Sequence, residues 1–175
     1  MPDSELIVHQ IAPVFAADSR VLLLGSLPSP KSRAQGFYYG HPQNRFWPTL
    51  AAVLSVPPPE PADIEAKRRL LLEHRLALWD VLASCLITGA ADSSISQPQP
   101  NDIAGLLQQT QIHAVFCTGA KAHSLYQSLC LPQTGLPAHR LPSTSPANRR
   151  YSNQQLIEEY QKILSKLVYS KGEIF

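Results

Sequence analysis

Four consecutive aliphatic residues, Val21-Leu22-Leu23-Leu24, run without a polar interruption and close on Gly25. Neither face of such a run suits water, and it is too short for a buried helix. A strand covered on both faces fits, and such strands belong to parallel sheets flanked by helices. Leu76 to Leu82 and Ala114-Val115-Phe116-Cys117 have the same character, and a shorter strand is expected from His139 to Leu141. Between these runs the apolar spacing becomes helical, over Phe46 to Leu54, Ile64 to His74, Ala120 to Leu129 and Asn153 to Val168. Glu5 to Phe15 also carries helical spacing, and Asn101 is expected to cap a helix from Asp102 to Gln109. Ala90 to Pro100, rich in Ser, Gln and Pro, reads as a long loop. The alternation predicts an α/β fold, a three-layer αβα sandwich around a central, mainly parallel, four-stranded sheet. With no repeat and no linker, residues 1–175 read as a single domain.

Composition limits the classes of partner. The 175 residues are 44% hydrophobic and 16% charged, as in an ordinary globular chain. A formal net charge of +2 excludes a strongly basic nucleic-acid coat but allows a compact protein to touch a few phosphates. Cys85, Cys117 and Cys130 are too scattered for a disulfide framework or a Cys-x-x-Cys metal site, and buried free thiols are expected. This suits a reducing, intracellular setting, and the cytoplasm is the expected location. No apolar run approaches membrane-span length, and the six histidines form no ligand-spaced set. Phosphate-loop and dinucleotide motifs are absent, so no cofactor and no metal are expected.

Parallel sheets place ligands at the carboxyl ends of their strands. That rule selects three loops: Ser26 to Asn44, Thr118 to Lys121, and Pro142 to Arg150. In the first, Gly25 and Pro28 suggest a tight turn. Phe37, Tyr38 and Tyr39 offer flat faces for stacking on a base. Asn44 combines an acceptor with a donor, enough to read a base edge or hold a water, yet it also precedes a helix and suits an N-cap. Phe46 and Trp47 suit the core equally well. In the third loop, Ser143, Thr144 and Ser145 can contact phosphates, and Arg149 and Arg150 can neutralise them. A Pro-Ser turn with solvated arginines is the plain alternative.

Gly25-Ser26-Leu27-Pro28-Ser29, then His41-Pro42-Gln43-Asn44 running on through Arg45, Phe46 and Trp47, resembles the first motif region of the mismatch-specific uracil/thymine glycosylases. The resemblance is closer to the hypoxanthine-DNA (deoxyinosine) glycosylases, family 6 of the uracil-DNA glycosylase superfamily. It rests on Tyr38-Tyr39-Gly40-His41-Pro42, Asn44, Trp79-Asp80-Val81-Leu82 with Cys85, Gly89 with Asp92-Ser93-Ser94-Ile95, and Leu141-Pro142-Ser143-Thr144-Ser145-Pro146-Ala147-Asn148. Two departures stand out. Leu27 occupies the turn position where mismatch-specific enzymes carry an activating Asn, a loss the hypoxanthine family shares, and Phe116-Cys117-Thr118-Gly119 stands where that family's third strand usually ends in Phe-Asn-Gly.

The resemblance implies a monofunctional glycosylase that acts on DNA containing a damaged or deaminated base, most readily hypoxanthine, and leaves an abasic site. It also implies a protein that works off the membrane and as a monomer. Asn44 would be catalytic, with His41 either assisting leaving-group protonation or serving its own turn. Gly25, Ser26, Leu27, Phe37, Tyr38, Tyr39 and Phe46 would surround the base. Ser143, Thr144, Ser145, Pro146, Ala147, Asn148 and Arg149 would grip the DNA. No lysine is placed for a Schiff base, Lys121 being the nearest to an exception. A mismatch-specific uracil/thymine glycosylase and a catalytically silent nucleic-acid-binding module remain alternatives.

Overall fold

The computed structural model describes residues 3–89 and 92–168. Its centre is a four-stranded parallel sheet built from β2 (Val21–Gly25), β3 (Leu76–Asp80), β6 (Ala114–Thr118) and β7 (Ala138–Leu141), in the order β3-β2-β6-β7. β2 is buried at every position, as its unbroken apolar run requires. Successive side chains of a strand point to opposite faces, so the run divides between two cores. Val21 and Leu23 pack with α2 (Phe46–Val53), α3 (Ile64–Glu73), α7 (Asn153–Tyr160) and α8 (Lys162–Leu167). Leu22 and Leu24 pack on the other side with α4 (Ile103–Gln108) and α5 (Ala120–Leu129). The expected αβα sandwich with its parallel four-stranded sheet is present.

A second sheet was not foreseen. β1 (Glu5–Val8), β4 (Leu82–Ile87) and β5 (Ser96–Pro100) form an antiparallel sheet in the order β1-β4-β5. The predicted helix over Glu5 to Phe15 is therefore wrong. Only Ile7 of β1 is buried, and Val14 makes a single bridge to Leu78. The helical spacing of these residues was coincidental, because β4 offers an open edge whose pairing outweighs local preference. The Leu76 to Leu82 run belongs to two strands. After Asp80 the chain swings out: Val81 N–H donates to Gly25 O and Leu82 N–H to Ser26 O, and β4 then leaves for the second sheet.

Residues 90 and 91 of the expected loop lie outside the described residues; the rest contains a 3-10 turn at Asp92–Ser94 and then β5. The cap of α4 is Asp102, which accepts from Gly105 N–H at 2.9 Å, not Asn101. Asn101 instead uses its amide to hold Asp80 O and Leu82 O, on either side of the strand break. The C-terminal helix is interrupted at Gln161. A short helix, α1 (Pro30–Gln35), also punctuates the first long loop, with Ser29 as its cap and Gly36 at φ 79° ending it. Another, α6 (Leu131–Thr134), follows α5.

Candidate active site

β2 and β3 run side by side, whereas β6 and β7 lie on the other flank of β2, so the winding direction reverses between β2 and β6. Loops diverge at such a point and leave a crevice at the carboxyl ends of the strands. A cavity of about 740 Å³ opens there, within the usual range of small-molecule sites. Its walls come from the Gly25–Arg33 segment, the 38–44 turn, Asp80, Thr118 and the Ser143–Ala147 loop. Loops distant in sequence thus meet where the sheet topology predicts.

Asn44 lies on the wall, and its amide orientation follows from its partners. Oδ1 accepts from Phe46 N–H at 2.9 Å and from the Thr144 hydroxyl at 2.9 Å. A backbone N–H can only donate, so the atom facing it must be the carbonyl oxygen. Both lone pairs are occupied. Among the described residues no group accepts from Asn44 Nδ2, which leaves the amide donor as its available end. Asn44 therefore steadies the entry into α2 and also presents a donor, but the N-cap of α2 is Arg45 and not Asn44. The oxygen, however, has no capacity left to hold a water.

His41 is a second wall residue, half buried. Its Nδ1 accepts from Gln43 N–H at 3.1 Å, which places the proton of the neutral ring on Nε2. His41 thus shapes its turn with one nitrogen and has a donor on the other.

The aromatic residues divide sharply. Tyr39 lines the cavity, stacked on Phe46 with centroids 3.9 Å apart and planes 13° from parallel. Its hydroxyl is 2.7 Å from Thr118 Oγ1, while Thr118 Oγ1 also reaches Leu24 O. Burial first, and the Asp80 carboxylate second, hold the Tyr39 hydroxyl well above the usual tyrosine range, so it stays protonated. The backbone of Tyr39 has φ 52°, a left-handed conformation that a bulky residue adopts only when its surroundings hold it.

Phe37 and Phe46 are fully buried and do not line the cavity. Phe37 packs on Trp47 and under the Arg68 guanidinium, and Phe46 supports Tyr39 from beneath. Their assignment to the base is corrected: neither offers a free face. Tyr38 is among the lining residues but almost fully buried, and its hydroxyl is taken up by Ile11 O and Ala12 O. Gly25, Ser26 and Leu27 do line the cavity, and Leu27 supplies an apolar wall.

The Pro142–Arg150 loop is tied down from within. Ser143 Oγ accepts from Ser145 N–H, Ser145 Oγ accepts from Ala147 N–H, and the Asn148 amide donates to Ser143 O while accepting from Arg150 N–H. Asn148 is thus a brace of the loop and does not line the cavity. Thr144 lines the cavity but is buried, and its hydroxyl proton is given to Asn44 and not free for a phosphate. Ser143, Ser145, Pro146 and Ala147 face the cavity, and Arg149 is exposed beside it in sequence. Lys121 sits on α5 away from the wall, while Lys31 stands exposed at the rim.

The sequence places Asp80 only within a motif and gives it no role, and it places Thr118 in a selected loop without one. Asp80 ends β3 directly opposite Gly25, and Thr118 ends β6 beside Tyr39. Both sit at the carboxyl ends of apolar strands, the signal that selected the Thr118 loop and would have singled out Asp80 had the end of β3 been placed there. Among the described residues there is no group of histidines, cysteines or acids arranged to hold a metal ion.

Comparisons with known proteins agree with this fold. Residues 12–168 match the family model described as the uracil DNA glycosylase superfamily. A hypoxanthine DNA glycosylase of Methanosarcina acetivorans is 33% identical over 142 residues, covering 81% of this chain and 89% of the relative. A hypoxanthine DNA glycosylase of Methanosarcina barkeri is 30% identical over 140 residues, covering 79% and 86% respectively. The solution NMR structure of a Methanosarcina acetivorans protein, described as a candidate uracil DNA glycosylase, superposes with a TM-score of 0.77 at 30% identity. It covers 94% of this chain and 100% of the other.

Proposed function

The chain belongs to the uracil DNA glycosylase superfamily, and on that premise we propose that it excises hypoxanthine from deoxyinosine in DNA, with Asn44 as the donor to the departing base. Glycosylases of this kind hydrolyse the bond between the base and C1′ after the base has left the stack. Positive charge grows on the sugar while electrons move to the base, so donors aimed at the base lower the barrier. The observation that supports Asn44 in this role is the saturation of its oxygen, which turns Nδ2 outward as the reactive end. His41 Nε2–H adds a second donor from the same wall.

Tyr39 is the aromatic surface available to the base, backed by Phe46. Leu27 closes the wall with an apolar group where an activating amide would otherwise compete, and the relatives named as hypoxanthine DNA glycosylases support a purine substrate. Ser143, Ser145, Pro146 and Ala147 approach the DNA strand, with Arg149 screening phosphate. One chain supplies the whole wall, which supports action as a monomer, and the buried thiols suit an intracellular protein.

The test is a panel of single- and double-stranded oligonucleotides carrying deoxyinosine, uracil or xanthine, with Asn44→Asp beside wild type. Aspartate keeps the acceptors for Phe46 N–H and Thr144 but removes the donor. Cleavage should fall by about two to three orders of magnitude with the fold intact, as for deletion of one preorganised donor. Full activity in Asn44→Asp would remove Asn44 from the mechanism, and a panel cleaved only at uracil would replace the substrate.

A further inference from the structure

Hydrolysis also requires an attacking water, and Asn44 has no lone pair left to orient one. Asp80 is the acidic residue among those that line the cavity. Its carboxylate is buried, with a side-chain exposure of only 5%, and Oδ2 accepts from His9 Nε2 at 2.8 Å. His9 is fixed in turn: Nδ1 accepts from Ile11 N–H at 3.2 Å, so the ring's proton is on Nε2 and points at Asp80. The antiparallel sheet delivers this histidine, since His9 N–H bonds Ala83 O just beyond the β1–β4 pairing.

The other carboxylate oxygen is unlike that of a purely structural acid. Among the described residues nothing donates to Asp80 Oδ1. It lies against the bare α-carbon of Gly25, where any Cβ would collide with it, and the Tyr39 hydroxyl is 3.1 Å from that same point. Glycine thereby gives Oδ1 room against the backbone of β2, near the Tyr39 hydroxyl, and Asp80, Gly25 and Tyr39 all line the cavity. Burying a carboxylate is costly, and structural ones satisfy their acceptors within the protein. This one is satisfied on one side and open on the other.

We propose that Asp80 is a catalytic carboxylate of this glycosylase and His9 its positioning residue. The inference rests on the glycosylase reading above. As the bond from C1′ to the base breaks, its electron pair leaves with the base. A water held at Asp80 Oδ1 adds through oxygen to C1′ and gives up a proton to the carboxylate. The base takes up one proton, and Asp80 releases its own to solvent, so one water is divided between sugar and base. Before the water adds, the same negative charge stabilises the cationic sugar. Asn44 and Asp80 thus act at opposite ends of the breaking bond.

The experiment measures single-turnover cleavage of a deoxyinosine duplex and, separately, affinity for a duplex holding an abasic-site analogue. Asp80→Asn should lose about two to four orders of magnitude in rate, as when a general base is removed, with abasic-site affinity unchanged. His9→Ala should cleave more slowly, and His9→Gln, whose amide can still donate to Oδ2, should restore the rate. If wild type cleaves deoxyinosine and Asp80→Asn matches it, the role of Asp80 is overturned while the glycosylase reading stands. If wild type cleaves no substrate of the panel, that reading itself fails. Should Asp80→Asn not fold, the His9 pair decides, and His9→Ala at the wild-type rate overturns the proposal.

Discussion

Gly25 is the residue where packing and chemistry meet. It sits in register with Asp80, and its missing side chain leaves room for the carboxylate. Alanine would suit the extended backbone of β2, so the obstacle is space and not conformation. Gly25→Ala should therefore displace Asp80 at a stability cost of about 1–3 kcal/mol, typical of overpacking, and slow cleavage more than it weakens DNA binding. Thermal melting with single-turnover rates checks this, and an alanine variant of wild-type rate would show that the carboxylate's position is unimportant. Asn44 carries a similar lesson. The motif singled it out, but the bond made by its oxygen was not legible, because Thr144 lies a hundred residues away in the chain.

Between elements, Arg45 is the strap that joins the two motif loops. Its guanidinium donates to Tyr151 O, Asn148 O and Asn153 Oδ1, while its backbone N–H donates to Thr144 O. These bonds dock the Ser143–Ala147 loop and the start of α7 against the turn that leads into α2. Arg45→Ala should destabilise the fold by about 2 kcal/mol, as for loss of a charge-assisted hydrogen bond, and should also weaken DNA binding because the loop is released. Arg149 makes the contrasting case. It is exposed, and its alanine variant should leave melting unchanged while lowering affinity and reducing the salt slope of binding by about one. Urea denaturation paired with binding titrations at several salt concentrations separates the two. Equal effects from both variants would show that the loop is not held by Arg45.

For the whole molecule, the two cores on either face of the parallel sheet set its response to alkali. Burial pushes the Cys117 thiol up to about 12 and the Cys130 thiol up to about 11. An unfolded thiol ionises near about 8.5, so between these values the unfolded state sheds its proton first. Stability should fall as pH rises above about 9, with the buried tyrosines Tyr38 and Tyr160 and the half-buried Tyr39 adding to the loss once an unfolded tyrosine ionises at about 10. Lys67, lowered by burial, opposes this with a single group. Chemical denaturation at neutral pH and at pH about 10 tests the slope, and thiol reagents should label Cys117 only after unfolding. A flat profile would mean that the thiols are more open than their packing indicates.

By itself the sequence determined the parallel sheet, because an unbroken aliphatic run such as Val21–Leu24 has no stable place except between two apolar layers. It also marked the Gly25–Trp47 and Leu141–Asn148 segments as the places where function would concentrate. Tertiary structure alone decided the second sheet, whose short strands β1 and β5 gain their conformation from the edges of β4 and carry little apolar pattern of their own. It likewise decided which aromatic ring faces the cavity, which end of Asn44 is spare, and the meeting of His9, Gly25 and Asp80. Those outcomes depend on contacts between residues far apart in the chain, where local propensity and spacing hold no information about distance or direction.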